Sequence, residues 1–472
     1  MNRSRIEDTL TQTGWAETIK LMDMTTETAR HLLADGQLQL LGAISSVTGA
    51  MTRVETGGAC VLVDCGVAQG QEARDWVFPE AARDADAVVL THGHNDHVGS
   101  LPVLLEGGYV GPILATRATL EVAEIVLRDG LRIQGASKNE VRSFVRQFHS
   151  QKRVVPYESP TDFPGFSGKM SFHEAGHILG SASVDLQSAT SRVIISGDLG
   201  RPDSPILRDY CETWGERPVD VVVMESTYGD REHRCSHDDV ERELERIVRR
   251  AAQRKGHILV PAFAIGRTQT LLYHLNTLIE SGRVPNVPVA VDTPMGLRVT
   301  ETYAESRRLF DKEALEKISH GDDPLDFEGL YAVWKGRDSA RLRDVPGPMV
   351  VIAGSGMCTG GRIVQHLQEL LPEESTTVLF VGFQAPGTPG REIQEAAQNR
   401  REGRVDCEVR LGGENVRVRA NIETLSGLSA HADQSELLRW LQSIPGPGRV
   451  ALHHGEVAAQ RGLKRAWRSR FV

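Results

Sequence analysis

Cysteine is scarce and scattered: the chain has six in 472 residues, at Cys60, Cys65, Cys211, Cys235, Cys358 and Cys407, with no Cys-x-x-Cys pair. That distribution argues against a disulfide framework or an all-cysteine zinc site and fits a reducing, cytoplasmic setting. No run of about 18 apolar residues occurs, and the N-terminus lacks a signal-peptide pattern, so no membrane association is expected. Excess positive charge is missing too. With a formal charge of −9 the chain has no general attraction for a polyanion, which would have to be held locally. Apolar and charged fractions of 40% and 25% are those of ordinary globular domains, and the length allows two domains or three.

What the chain does have is histidine concentrated in one place. Thr91-His92-Gly93-His94-Asn95-Asp96-His97 follows Ala87-Val88-Val89-Leu90, which reads as a short buried strand. On extended chain His92 and His94 point the same way. Asp96 and His97 come where Gly93 and Asn95 let the chain turn, so they can face the same cavity from another side. Imidazole nitrogens and carboxylate oxygens are zinc donors at roughly 2.0–2.2 Å. Four such ligands in so short a stretch crowd a single tetrahedral ion with an open position, so two adjacent ions are expected. The pattern reads as a metal site rather than a histidine-rich surface loop.

Residues 1–35 carry Ile19, Leu21, Met22, Ala29, Leu32 and Leu33 at roughly helical spacing, which predicts an N-terminal helical extension packed on the main body or on a partner. From Gln37 the texture changes to strand-like runs, Leu38–Leu41, Thr52–Thr56 and Ala59–Val63, separated by Gly and Thr-Gly. The third ends in Asp64, either a carboxylate that orients a ligand histidine or a turn initiator. Helices are expected over Thr119–Gln134 and Lys138–Phe148. His177 then sits between glycines that allow close backbone approach, and the buried strand Arg192–Ile195 ends in Ser196-Gly197-Asp198.

Asp64, His92-x-His94-x-Asp96-His97, His177 and Asp198, in that order, closely resemble the motifs of the metallo-β-lactamase superfamily, without substitution. The resemblance implies an αβ/βα sandwich with a two-metal site at the edge of its sheets. By it, His92, His94 and His177 hold one zinc, Asp96 and His97 the second, Asp198 bridges both, and Asp64 supports the site from behind.

Strand and helix alternate beyond this point, indicating a separate inserted α/β domain. Pro218–Met224 leads into Glu225-Ser226-Thr227-Tyr228-Gly229, and a helix is read over Asp239–Arg254. Ile258–Arg267 precedes another helix through Leu278. Strands at Val287–Val291 and Met349–Ala353 follow. The loop Gly354-Ser355-Gly356-Met357-Cys358-Thr359-Gly360-Gly361-Arg362 then opens a helix from Ile363 to Leu371. Glycines before a helix N-terminus can offer N–H groups to a phosphate, although the loop is not a Walker motif. Leu428-Ser429-Ala430-His431-Ala432-Asp433 starts a further helix, and Arg449–Leu452 delivers His453-His454-Gly455-Glu456.

This half resembles the β-CASP branch of the superfamily, the nucleic-acid-processing members. Its extra motifs match Glu225, His431 and His454, and the chain is similar to compact bacterial and archaeal RNases related to the pre-mRNA 3′-end endonuclease. The implied organisation is an extension over 1–35, a metallo-β-lactamase domain over 36–226 and 427–472, and a β-CASP insert over 227–426. The chain departs from the pattern in its first 35 residues and in lacking a long C-terminal domain of the RNase J kind.

The resemblance implies a ribonuclease that hydrolyses phosphodiesters of single-stranded RNA, endo or 5′-exo, with two Zn2+ as cofactors. Histidine at the third extra motif marks the RNA-acting members; here it is His454, expected to complete the second zinc. A DNA nuclease of the same branch and a small-molecule metallo-hydrolase are the alternatives. Two ions about 3.5–4 Å apart would supply a nucleophile and a clamp on the phosphate. The leaving oxygen needs a proton, expected from His431 oriented by Glu225; Asp96 and Asp64 complete the catalytic set. Ser355, Gly356, Gly360, Gly361, Arg362 and Arg267 are candidate phosphate contacts, the two arginines weighed against ordinary salt bridges. A homodimer is left open.

Overall fold

In a computed structural model, which describes residues 23–25, 30–70, 72–403 and 407–471, the chain divides into two compact units. One comprises Met1–Glu232 and His431–Val472, the other His233–Ala430.

The first unit holds two sheets. In the seven-stranded sheet the spatial order is Arg30–Leu33, Gly36–Gly42, Met51–Thr56, Ala59–Val63, Ala87–Val89, Ile113–Ala115 and Lys152–Val154. In the six-stranded sheet it is Asp23–Thr25, Arg449–His453, Val221–Glu225, Arg192–Ile195, Ala182–Ser188 and Gly168–Glu174. Successive side chains of a strand point to opposite faces, and the core follows that period. Val61, Val63 and Val89 of one sheet pack with Val193, Ile195, Val221 and Val223 of the other. The intervening Ile194, Val222 and Met224 lie in a second core with Trp440, Leu441, Leu463 and Trp467. Those four belong to the helices Gln434–Ser443 and Val457–Phe471. Strands buried on both faces explain the near-continuous apolar runs that made them legible.

The helical spacing read over the first 35 residues is corrected where it can be compared. Most of that stretch lies outside the described residues, but Asp23–Thr25 and Arg30–Leu33 are strands. Arg30–Leu33 is folded back on Gly36–Gly42 as a hairpin through Ala34-Asp35, a turn in which Asp35 accepts hydrogen bonds from Thr56 Oγ1 at 2.9 Å and Gly57 N–H at 3.0 Å. Cross-strand pairing outweighs three apolar residues at loose helical spacing.

The second unit is built on a sheet with the order Leu330–Ala332, Val289–Asp292, Val350–Ala353, Ile258–Pro261, Thr377–Phe380 and Asn421–Thr424. Every pairing in it is parallel. Its core joins Leu259, Val351, Val378 and Phe380 to Ile363 and Leu367 of the helix Arg362–Leu370.

One buried charge in the first unit was read from sequence as part of an apolar strand. Arg192, 1% exposed, donates from Nε and Nη2 to the Asp185 carboxylate at 3.1 and 2.8 Å and from Nη2 to the Trp214 carbonyl at 2.5 Å. Removing one partner of such a pair strands the other charge in a low-dielectric core. Asp185→Ala should therefore lower the unfolding free energy by about 3–5 kcal/mol, read by urea denaturation.

Candidate metal centre

Five of the sequence-predicted site residues of the first unit lie at carboxyl ends of strands. Asp64 follows Ala59–Val63, His92 follows Ala87–Val89, Asp198 follows Arg192–Ile195, Glu225 ends Val221–Glu225 and His454 follows Arg449–His453. Arg192–Ile195, Val221–Glu225 and Arg449–His453 are mutually parallel. Gly168–Glu174, two antiparallel pairings away, runs the same way and brings His177 to the same edge. The turn expected around Gly93 and Asn95 is a short helix, Asn95–Val98, entered at His94. Its backbone is tied to the Asp64 segment by Cys65 N–H to the His97 carbonyl at 2.8 Å. Gly66 is required there, since a Cβ would lie 1.7 Å from the Asp96 carbonyl oxygen.

Two donor sets result. His92 Nε2 and His177 Nε2 lie 3.1 and 3.3 Å from His94 Nδ1, and each lies 3.6 Å from Asp198 Oδ2. Donors about 2.0–2.1 Å from a tetrahedral ion are separated by about 3.3–3.4 Å, so this set fits one ion. Burial drives His92 well below the ordinary imidazole value and His94 down to about 4, leaving neutral rings whose lone pairs can bind metal.

In the second set His97 Nε2 lies 3.3 Å from His454 Nε2, and His454 Nε2 lies 3.6 Å from Asp96 Oδ2. Asp198 Oδ1 is 3.3 Å from His97 Nε2 and 3.2 Å from His454 Nδ1. A buried carboxylate oxygen ringed by imidazole nitrogens is placed to share a cation with them. Burial raises Asp96, but His454, His97 and His94 outweigh it and bring the carboxyl to about 2. Burial lowers His97, but Asp198 and Asp64 hold it well above the ordinary value. A proton on His97 thus compensates the same carboxylate that would hold an ion, and metal uptake should release it.

Asp64 faces this centre from behind. It accepts from Thr91 N–H and Thr91 Oγ1, each at 2.8 Å, and its Oδ2 is 2.7 Å from His97 Nδ1. Thr91, to which the sequence reading gave no role, also lies 3.1 Å from His92 Nδ1. Thr227 Oγ1 lies 3.2 Å from His454 Nδ1. Only their places beside the histidine motif and the Glu225 motif signalled them.

His431 and Glu225 form a third grouping with Asp198. Ala432 N–H donates to the Leu199 carbonyl at 2.8 Å, which places His431 against the Asp198 segment, its Nδ1 4.0 Å from Asp198 Oδ2. Glu225 is buried and accepts from Leu199 N–H at 2.7 Å and Thr227 N–H at 3.2 Å, with Oε1 3.2 Å from His431 Nδ1. Burial lowers His431, yet Glu225 beside it, with Asp198 and Asp96, raises it to about 9.

The candidate phosphate contacts belong to the other unit. Ser355, Gly356, Gly360 and Gly361 form the loop between Val350–Ala353 and Arg362–Leu370. Part of that loop's polar capacity is internal: Ser355 N–H donates to the Gly360 carbonyl at 3.1 Å and Thr359 N–H to Ser355 Oγ at 3.0 Å. Arg267 opens the helix Arg267–Glu280. Arg362 is an internal tie, donating to Asp292 at 2.6 Å and to the Val333 and Trp334 carbonyls, each at 2.8 Å.

A sandwich with such a donor cluster at one edge and an α/β insert defines a metallo-hydrolase of the nucleic-acid-processing kind. Family models agree: the metallo-beta-lactamase superfamily matches residues 47–262, the Beta-Casp domain 268–393, and the Zn-dependent metallo-hydrolase RNA specificity domain 415–471. The chain is 40% identical to Ribonuclease TTHA0252 of Thermus thermophilus, over 88% of this chain and 92% of that protein. It is 30% identical to the transcription termination factor FttA of Methanocaldococcus jannaschii, over 89% of this chain and 67% of that protein. A solved protein of unknown function from Enterococcus faecalis V583 shares the fold, with TM-score 0.53, 10% identity and coverage of 90% and 95% of the two chains. The chain belongs to the metallo-β-lactamase superfamily, in its β-CASP branch, and membership implies metal binding.

Removing a carboxylate that orients a ligand histidine usually weakens metal binding. Asp64→Asn should lower the affinity of the His97 side by about 10–100-fold, measured by competition with a chromogenic chelator.

Proposed function

We propose that this chain is a ribonuclease that hydrolyses phosphodiester bonds of single-stranded RNA at a centre of two zinc ions. The observation that carries the reading is the position of Asp198, whose two oxygens face two separate donor sets. His92, His94 and His177 would hold one ion and Asp96, His97 and His454 the other. RNA as substrate is supported by the 40% identity to a ribonuclease and by the RNA specificity model, which spans His431 and His454. The donor types, nitrogen and carboxylate oxygen at close quarters, suit zinc.

When bound, two such ions supply a nucleophile at neutral pH and neutralise charge on the phosphate in flight. The chain's own residues do the rest. Asp64 and Thr91 fix the ring of His97, and Thr227 fixes that of His454. His431 holds a proton that the departing oxygen requires. Glu225 grips Nδ1, so the proton to be donated is the one on Nε2. Two backbone N–H groups keep the Glu225 carboxylate aimed at the ring and fix the acid's direction. Phosphate contacts from Ser355, Gly356, Gly360, Gly361 and Arg267 are part of the proposal; Arg362 would serve by holding its loop to Asp292.

His431→Ala should keep its metal and bind RNA, yet cleave about 10²–10⁴-fold slower. RNA with a bridging 5′-phosphorothiolate at the scissile bond has a leaving group that needs no proton, so it should rescue His431→Ala far more than His92→Ala. Equal rescue, or metal loss in His431→Ala, refutes the acid role. Because Glu225 raises the His431 pKa, the rate should fall as pH climbs through that value, and Glu225→Gln should move this limb to lower pH. DNA cleaved as fast as RNA of the same sequence would overturn the substrate assignment.

A further inference from the structure

Outside that centre, the first unit holds a second convergence of metal donors. We propose that Glu158, His173 and Cys211 form a third metal site, for a thiophilic divalent cation of the zinc class. His173 Nδ1 lies 2.8 Å from Glu158 Oε1 and 3.9 Å from Cys211 Sγ, and the three donor atoms all fall within 4.8 Å of one another. A tetrahedral zinc ion sets nitrogen and oxygen about 3.3 Å apart and nitrogen and sulfur about 3.6 Å apart, so the two pairs to Nδ1 each lie within roughly half an ångström of that geometry. The donors come from three places in the sequence. His173 is in the strand Gly168–Glu174, Glu158 precedes that strand with a left-handed φ of 54°, and Cys211 is held by its N–H on the Glu174 carbonyl at 2.7 Å.

Carboxylate and thiol lie on the Nδ1 side of the ring, the thiol also within reach of the Thr213 carbonyl at 3.2 Å. The other nitrogen, Nε2, faces the Asp185 carboxylate at 3.9 Å. A ring protonated on Nε2 would leave the Nδ1 lone pair for a metal. Trp214 packs against the ring with centroids 4.7 Å apart and is itself anchored by Nε1 to Ser443 Oγ at 3.0 Å. The Glu158 side chain is 61% exposed while that of His173 is 10% exposed, so an ion can enter from solvent onto a fixed imidazole. A thiolate in the set selects zinc over magnesium, calcium or manganese. The ion would brace the strand that leads through Glu174 to His177.

The test uses the full chain stripped of metal and reconstituted with cobalt(II). A sulfur-to-cobalt charge-transfer band in the near ultraviolet requires thiolate ligation, and the dinuclear centre contains no cysteine. The band should appear in the wild type, vanish in Cys211→Ser and persist in His92→Ala, so failure of the ribonuclease reading leaves this result untouched. Zinc-loaded Cys211→Ser should hold one ion per chain fewer than the wild type. Glu158→Gln, on an exposed side chain, should weaken cobalt binding at this site by about tenfold or more, and it carries the test if Cys211→Ser fails to fold. A wild type without the band, a band that survives in Cys211→Ser, or unchanged cobalt affinity in Glu158→Gln would overturn the proposal.

Discussion

The centre depends on one buried carboxylate that two sets of imidazoles share. Asp198 is 2% exposed, and an ion taken that far out of water must be paired or it destabilises the fold. Asp64, Asp96 and Glu225 stand around it, making four carboxylates in one crevice. His97 and His431 are raised toward their charged forms, while His92 and His94 are lowered. Carboxylates gathered this closely in a buried site favour bound cations that neutralise them. The same electrostatics that would make the empty centre costly would make metal binding favourable.

The scaffold explains why such a concentration of charge can be assembled at all. Parallel strands present their carboxyl ends on one edge, so a residue just beyond each strand reaches the centre without distorting the core beneath. Neighbouring backbone supplies the alignment. Leu199 N–H fixes Glu225, and the Leu199 carbonyl accepts from Ala432 N–H, so one short segment beyond Asp198 positions both Glu225 and His431.

Much of this was legible in the sequence because its signals are local. Apolar runs ending in Asp64, Asp198, Glu225 and His454 show that acids and histidines sit at strand exits. The helix expected over Lys138–Phe148 is observed over Lys138–Gln151, where Ser137 and Glu140 close a reciprocal cap. What did not show depends on tertiary partners. Arg192 looks like the start of an apolar strand until Asp185 is found opposite it. Arg362 looks like a phosphate ligand until Asp292 and two carbonyls claim its guanidinium. Arg30–Leu33 has no strand pattern of its own and is made a strand by the hairpin it closes. Leu330–Ala332, a short and mostly exposed edge strand, offers no periodicity to read.

The central claim is that Asp198 stands between two metal ions. Anomalous diffraction at the zinc edge from crystals of the zinc-loaded chain tests it most directly. The account predicts two peaks, one among His92, His94, His177 and Asp198 Oδ2, the other among Asp96, His97, His454 and Asp198 Oδ1. A single peak, or two peaks with Asp198 turned away from either, would contradict it.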